Sequence, residues 1–171
     1  EYPEVVQRME KAFQAYHARG KELVQEPVRF VLGGVGSPVI EITGQDMYWT
    51  PESKGGQPFG QSAPRDLMQA HGLYKVRIAR DGKYKFTLSR YPLYTNISMS
   101  IGGRKFKEDH IIQKVRISIA GKTREKVVMT EDTRATFLMN LKVGDADLDT
   151  ALLGDGKDGI AYFVTAEYLG K

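Results

Sequence analysis

The chain contains no cysteine among its 171 residues and a single tryptophan, Trp49. The first absence excludes disulfides, thiolate metal sites and a cysteine nucleophile, and leaves the compartment open. No apolar run approaches the roughly 20 residues that a helix needs to cross a bilayer. The opening EYPEVV has neither the basic nor the apolar segment of a secretion signal, and no initiator methionine, so the chain reads as a mature or excised fragment. Histidines stand at 17, 71 and 110, and no two of them have metal-ligand spacing. The run Gly33-Gly34-Val35-Gly36 lacks the Lys-Ser/Thr and the helix that follow a phosphate loop. No Gly-x-Ser-x-Gly elbow marks a serine hydrolase. The residues therefore supply no catalytic machinery and no metal site.

What is present is an ordinary globular composition, 41% hydrophobic and 27% charged, with 18 glycines to serve turns. The length suits one domain, or one domain with an appendage. The net charge of +4 conceals an asymmetry. Residues 72–126 hold 14 Lys/Arg against 4 Asp/Glu, a net of +10, which leaves −6 for the remainder. A basic middle suits solubility, an acidic polysaccharide or the acidic face of a neighbouring domain. Nucleic acid ranks last, because no aromatic RNP pattern or recognition helix accompanies the charge.

Residues 3–19 read as a helix. Pro3 suits its first turn, Glu4 its positive end, and Gly20 its C-terminal cap. Val5, Val6, Met9, Phe13 and Tyr16 form one apolar stripe, which spacing alone assigns to core packing. Residues 21–27 read as a linker, so residues 1–27 are helix and linker and 28–171 a β domain. Short strands are expected at 28–32, 37–43, 97–101, 112–119, 127–130 and 160–169. A longer one at 134–143 turns Ala135, Phe137, Met139, Leu141 and Val143 inward. Residues 50–64 read as loop, 65–70 as a helical turn or irregular strand, and 104–110 as exposed and charged. The fold class that follows is mainly β: an antiparallel β-sandwich, jelly-roll-like in its connections, with one N-terminal α-helix.

The clearest two-strand unit is residues 72–92, GLYKVRIARDGKYKFTLSRYP. Val76 and Ile78 alternate with Lys75 and Arg77, and Tyr84, Phe86 and Leu88 alternate with Lys83, Lys85 and Thr87. As a hairpin, a three-residue Arg80-Asp81-Gly82 loop keeps the apolar parity, with Ile78 opposite Tyr84 and Val76 opposite Phe86. That register places Lys75, Arg77 and Lys85 together on one outer face, either as splayed solvated chains or as a surface for an anion. Arg90 has the parity of the apolar side, so its head is expected to be held at the strand end. Residues 144–159 hold Asp145, Asp147, Asp149, Asp155 and Asp158 with four glycines. Their D-x-D-x-D spacing fails as a calcium loop, since the sixth and twelfth places are Thr150 and Gly156. Turn and solubility roles are expected instead. Tyr48, Trp49, Tyr91 and Tyr94 fall at strand ends or in loops, where a sugar ring can stack on them. Trp49 also suits burial under the loop that follows it.

Four stretches, YPEVVQRMEKAFQAY, ITGQDMYW, YKVRIARDGKYKFTLSRYP and GIAYFVTAEYL, come in this order along nearly the whole chain. Together they resemble the C-terminal accessory domain of bacterial arylsulfatase-like sulfatases, of the alkaline-phosphatase superfamily. The family's Arg-Arg-Trp-Pro stands here as Ser89-Arg90-Tyr91-Pro92, and Tyr74 replaces a tryptophan. The Cys/Ser-x-Pro/Ala-x-Arg sequence that becomes formylglycine is not found; the nearest text, Ser62-Ala63-Pro64-Arg65, has its Arg one place early. The resemblance implies a noncatalytic domain. Its partner would be an N-terminal sulfatase catalytic domain of the same polypeptide, which would carry formylglycine and calcium. This chain itself would carry no cofactor. The resemblance further implies a periplasmic or secreted location and no membrane or nucleic-acid partner. An anionic, sulfated glycan would meet the chain through Arg90, Tyr91, Asp46, Trp49 or His71, with Lys75, Arg77 and Lys85 as a second basic face. The alternative is a free-standing carbohydrate-binding or structural β-sandwich.

Overall fold

A computed structural model describes residues 2–23, 26–49, 56, 60, 62–101 and 111–171. It holds two helices, α1 (Pro3–Leu23) and α2 (Ser62–Arg65). The strands are β1 (Phe30–Leu32), β2 (Val39–Thr43), β3 (Tyr74–Ile78), β4 (Gly82–Ser89), β5 (Ile112–Ile119), β6 (Lys122–Val127), β7 (Ala135–Leu141), β8 (Gly144–Gly154), β9 (Asp158–Gly159) and β10 (Phe163–Gly170). One sheet runs β1-β3-β8-β5-β6, with β9 paired to β8, and the other runs β2-β10-β4-β7. Only β1 and β3 pair in parallel among these strands; the other pairs are antiparallel. Side chains of both sheets share one apolar core, so the protein is a β-sandwich with an N-terminal helix.

The expected hairpin is not one. β3 lies in the first sheet and β4 in the second, and Arg80-Asp81 carries the chain across the edge of the sandwich. The parity reading still holds: Tyr74, Val76, Ile78, Tyr84, Phe86 and Leu88 are all buried. They meet across the core rather than side by side in one ladder. Arg80 holds this corner. Its Nε donates to the Gly33 carbonyl at 2.6 Å, and its guanidinium lies 4.0 Å over the Tyr168 ring. Tyr84 Oη donates to the Arg80 carbonyl at 2.7 Å, and the Asp81 carboxylate accepts from the Val143 backbone N–H at 2.7 Å. Local alternation cannot distinguish a hairpin from this arch, because both bury the same residues.

Several further expectations change. α1 continues through Gly20 to Leu23, since Lys21, Glu22 and Leu23 are helix formers and one interior glycine costs only about 1 kcal/mol. None of its residues is buried: Phe13 is 64% and Tyr16 77% exposed, so the stripe does not serve this core. The aspartate-rich segment is β8, the longest strand, and its D-x-D-x-D is an outward face with Leu148 and Leu152 turned inward. Asp is disfavoured in strands, but here each outward carboxylate has a cation within reach. The strand expected at 127–130 is β6, shifted toward the N-terminus, and Val143 is exposed past the end of β7. No strand forms at 97–101, and β1 and β2 begin later than expected. The expected exposed segment 104–110 and most of the 50–64 loop lie outside the described residues.

Candidate ligand pocket

The residues singled out from the sequence do not converge. Asp46 turns inward on its own loop, accepting from Thr43 N–H at 2.7 Å and Thr43 Oγ1 at 2.9 Å, and so closes the turn after β2. Trp49 is half-buried against the core. His71 lies with Arg116, Asp149 and Asp158 around a separate hollow. The three basic chains expected on one face stand on two. Lys75 and Arg77 pair with Asp147 and Asp145 on the first sheet, each at cross-strand register positions, at 2.8 and 2.7 Å. Arg29 adds a second cation to Asp145 at 3.0 Å. Lys85 stands on the second sheet, paired with Glu167. These are surface ion pairs of an ordinary kind, so the proposed anion-binding face is already neutralised.

Arg90 has the inward parity expected of it, and its head is held at the strand end. It is 1% exposed and therefore turned away from solvent. Its Nε donates to the Pro64 carbonyl at 2.7 Å, Nη2 to the Arg65 carbonyl at 3.0 Å and Nη1 to the Ser100 carbonyl at 3.4 Å. Burial lowers its pKa, with the nearby Tyr91, Tyr162 and Asp66 opposing the shift. A guanidinium stays charged through such a shift. Its fork ties α2 and the segment before β5 to the end of β4, so Arg90 builds the wall of a site rather than lining it.

Tyr91, next along the chain, does line a cavity of about 480 Å³ at the end of the sandwich. Pro92 starts a single turn of 3₁₀ helix at Leu93–Thr95, which Asn96 closes in the left-handed conformation at φ 51°. Thr95 Oγ1 bonds back to the Pro92 carbonyl at 2.7 Å. That short helix carries Tyr94, 89% exposed, at the rim. Tyr162 and Phe163 at the start of β10 form the opposite side, with Thr43, Gly44 and Gln45. Tyr162 is fixed by two bonds: its hydroxyl donates to the Met68 carbonyl at 2.9 Å, and its own carbonyl accepts from the Gly44 N–H at 2.8 Å. Burial raises its phenol pKa well above the ordinary value, so it stays a neutral donor.

The Tyr91 hydroxyl is buried and has no hydrogen-bond partner among the described residues. Such a group carries a desolvation cost of about 1–3 kcal/mol until something accepts or donates to it. The pocket therefore combines aromatic faces from Tyr91, Tyr94, Tyr162 and Phe163 with polar groups on Thr43, Gln45 and Thr95, and the unsatisfied Tyr91 hydroxyl lies buried in its wall. Sequence reasoning reached Tyr91 and Tyr94 through their place at a strand end. It missed Tyr162 and Phe163, which read only as members of a closing strand. A pair of adjacent aromatics at a strand start was the available signal.

No protein-family model and no curated protein sequence matches the chain. Among solved structures, the C-terminal CBM6 of LamC, a marine laminarinase from Zobellia galactanivorans, aligns at a TM-score of 0.40 and 10% identity over 75% of this chain and 98% of that one. The GH26-CBM35 β-(1,4)-mannanase of Podospora anserina aligns at 0.40 and 7% identity, over 78% of this chain and 28% of that one. A ruminal GH26 endo-β-1,4-mannanase aligns at 0.37 and 18% identity, over 77% of this chain and 26% of that one. The chain thus spans about a quarter of each mannanase.

Proposed function

We propose that this chain is a noncatalytic carbohydrate-binding β-sandwich module whose ligand enters the pocket bounded by Tyr91, Tyr94, Tyr162 and Phe163. The observation that carries the reading is the pocket itself: aromatic faces beside polar groups, and a buried Tyr91 hydroxyl that lacks a partner among the described residues. A sugar presents apolar C–H faces to an aromatic ring and hydroxyls at its edge, which is the complement of this lining. Tyr94 at the rim supplies the stacking face, and a turn of the buried Tyr91 side chain on binding brings its hydroxyl to the sugar, a hydrogen bond that fixes orientation.

The test is a glycan array followed by calorimetry with the best ligand. Tyr94→Ala is expected to weaken binding about five- to tenfold, the loss of one ring face. Tyr91→Phe carries opposite signs in two measurements. It removes an unsatisfied buried hydroxyl, so the free protein is expected to melt at the same or a higher temperature, while glycan affinity falls. A Tyr91→Phe variant that melts lower and binds unchanged overturns the assignment, as does silence of the wild type across neutral and anionic glycans.

A second reading is favoured by one observation, the uncovered stripe on α1. Burying a side chain such as Val6, Met9 or Phe13 gains about 1.5–3 kcal/mol each, a gain this domain leaves untaken. An accessory domain of a sulfatase, with α1 laid on a catalytic domain of the same polypeptide, takes that gain. On this reading formylglycine and calcium belong to that other domain. This chain alone then releases no sulfate from an aryl sulfate, and turnover that survives repurification sinks the idea.

A further inference from the structure

We propose that the free edge of β6 is a docking site for an extended acidic peptide, which adds to the first sheet as a further strand. β6 ends that sheet, and every one of its residues is exposed. Among the described residues no strand pairs with its side away from β5, which therefore offers backbone N–H and C=O groups of the kind that recruit a strand. The register with β5 fixes which way its side chains point. Lys122 pairs with Ile119, Arg124 with Ile117 and Lys126 with Val115, so all three basic chains lie on the inner face, where β6 overhangs the second sheet. Lys122 confirms the side by donating from Nζ to the Asn140 carbonyl on β7 at 2.5 Å. The result is a row of three cations about 6.8 Å apart along the strand.

Among the described residues, no carboxylate lies within ion-pair distance of Lys122, Arg124 or Lys126. The same sheet shows what answers such a row. On β3, Lys75 and Arg77 at alternate positions sit opposite Asp147 and Asp145 on β8, in cross-strand register and ion-paired. The basic row of β6 is the counterpart of that arrangement with its acidic strand not yet supplied. A strand with carboxylates at every second position places one opposite each cation while its backbone completes the ladder. A second copy of β6 is disfavoured, because antiparallel pairing would set the basic rows against each other. This chain's own alternating acidic run, Asp145 to Asp149, is already committed inside the sheet. The occupant is therefore an acidic segment of another protein, with uncharged or basic residues at the intervening positions, which face Thr123, Glu125 and Val127.

The probe is a short labelled peptide that alternates Asp and Thr, added to the full chain and read by fluorescence anisotropy and amide hydrogen exchange. Binding is expected to slow exchange at β6 and to leave β1, the opposite edge of the sheet, unchanged. A peptide of the same composition with its aspartates in one block is expected to bind about tenfold more weakly, because only alternate carboxylates meet the row. Backbone N-methylation of the alternating peptide is expected to abolish binding. Lys122→Thr with Arg124→Thr and Lys126→Thr is expected to abolish it too, and the exchange result on the wild type stands whether or not that variant folds. Equal binding of the blocked or N-methylated peptide overturns strand addition. So does protection away from β6. Dextran sulfate binding at β6 without peptide binding also overturns the proposal, in favour of a polysaccharide. None of these outcomes bears on the Tyr91 pocket, which is read by Tyr94→Ala with glycan.

Discussion

The two charged strands at either side of β5 make an instructive pair. β8 and β6 both place charged residues at alternate positions: Asp145, Asp147 and Asp149 on one, Lys122, Arg124 and Lys126 on the other. β8 is central, with β3 and β9 on one side and β5 on the other, and its carboxylates meet Arg29, Arg77, Lys75 and Arg116. β6 is an edge, and its cations meet no carboxylate among the described residues. The difference shows that a strand's charge pattern carries no function until its neighbours are known. The basic middle of the sequence, which pointed to the face of Lys75, Arg77 and Lys85, is neutralised there and open at β6.

The largest effect that separates the two strands is in the core. Leu148 on β8 is fully buried between Tyr74 and Ile119, its partners in register, and Leu148→Ala is expected to cost about 2–5 kcal/mol in urea unfolding. Val127 on β6 is 68% exposed, and Val127→Ala is expected to change stability by no more than about 0.5 kcal/mol. Similar losses at both positions would mean that β6 is not an edge.

A smaller effect concerns the ladder. The hydrogen bond from Arg77, and then the charge of Arg29, hold the Asp145 carboxyl below its ordinary pKa. A depressed carboxylate contributes stability that is complete above its unfolded value, about 3.9, and is lost as pH falls through the folded value. Asp145→Asn is therefore expected to lower the melting temperature slightly at neutral pH and by progressively less as the pH falls below about 3.9. Because these groups are solvent-exposed, the difference is also expected to shrink in high salt. Asp81, depressed by Lys142 and by the Val143 N–H, acts in the same direction and window. The smallest effect is at the edge. Lys126→Thr is expected to leave the melting temperature unchanged, since it breaks no ion pair among the described residues.

Much of the fold was legible because burial on one face imposes a period of two. β5 appears with the bounds that alternation assigns, and Ala135, Phe137, Met139 and Leu141 of β7 are buried as read. β8 was not legible as a strand, because aspartate and glycine signal turns and the outward carboxylates read as loop chemistry. Their cations lie on β3, β5 and before β1, far away in sequence. The pocket was half legible: Tyr91 and Tyr94 follow from the end of β4, whereas Tyr162 and Phe163 arrive from the other end of the chain. Arg90 was read by parity as an anchored head, but the carbonyls of Pro64, Arg65 and Ser100 that hold it come from irregular segments without a pattern.

By itself, the sequence determined that the chain is mainly β, which residues of β3, β4, β5 and β7 face inward, and that α1 is amphipathic. These depend on neighbours one to four residues away, where backbone geometry dictates direction. Tertiary structure decided that β3 and β4 belong to different sheets, which cations are neutralised, and that Tyr91 shares a cavity with Tyr162. These depend on pairings between distant segments. Alternation says which side of a strand is buried, and the same buried side serves a ladder neighbour or a facing sheet equally well.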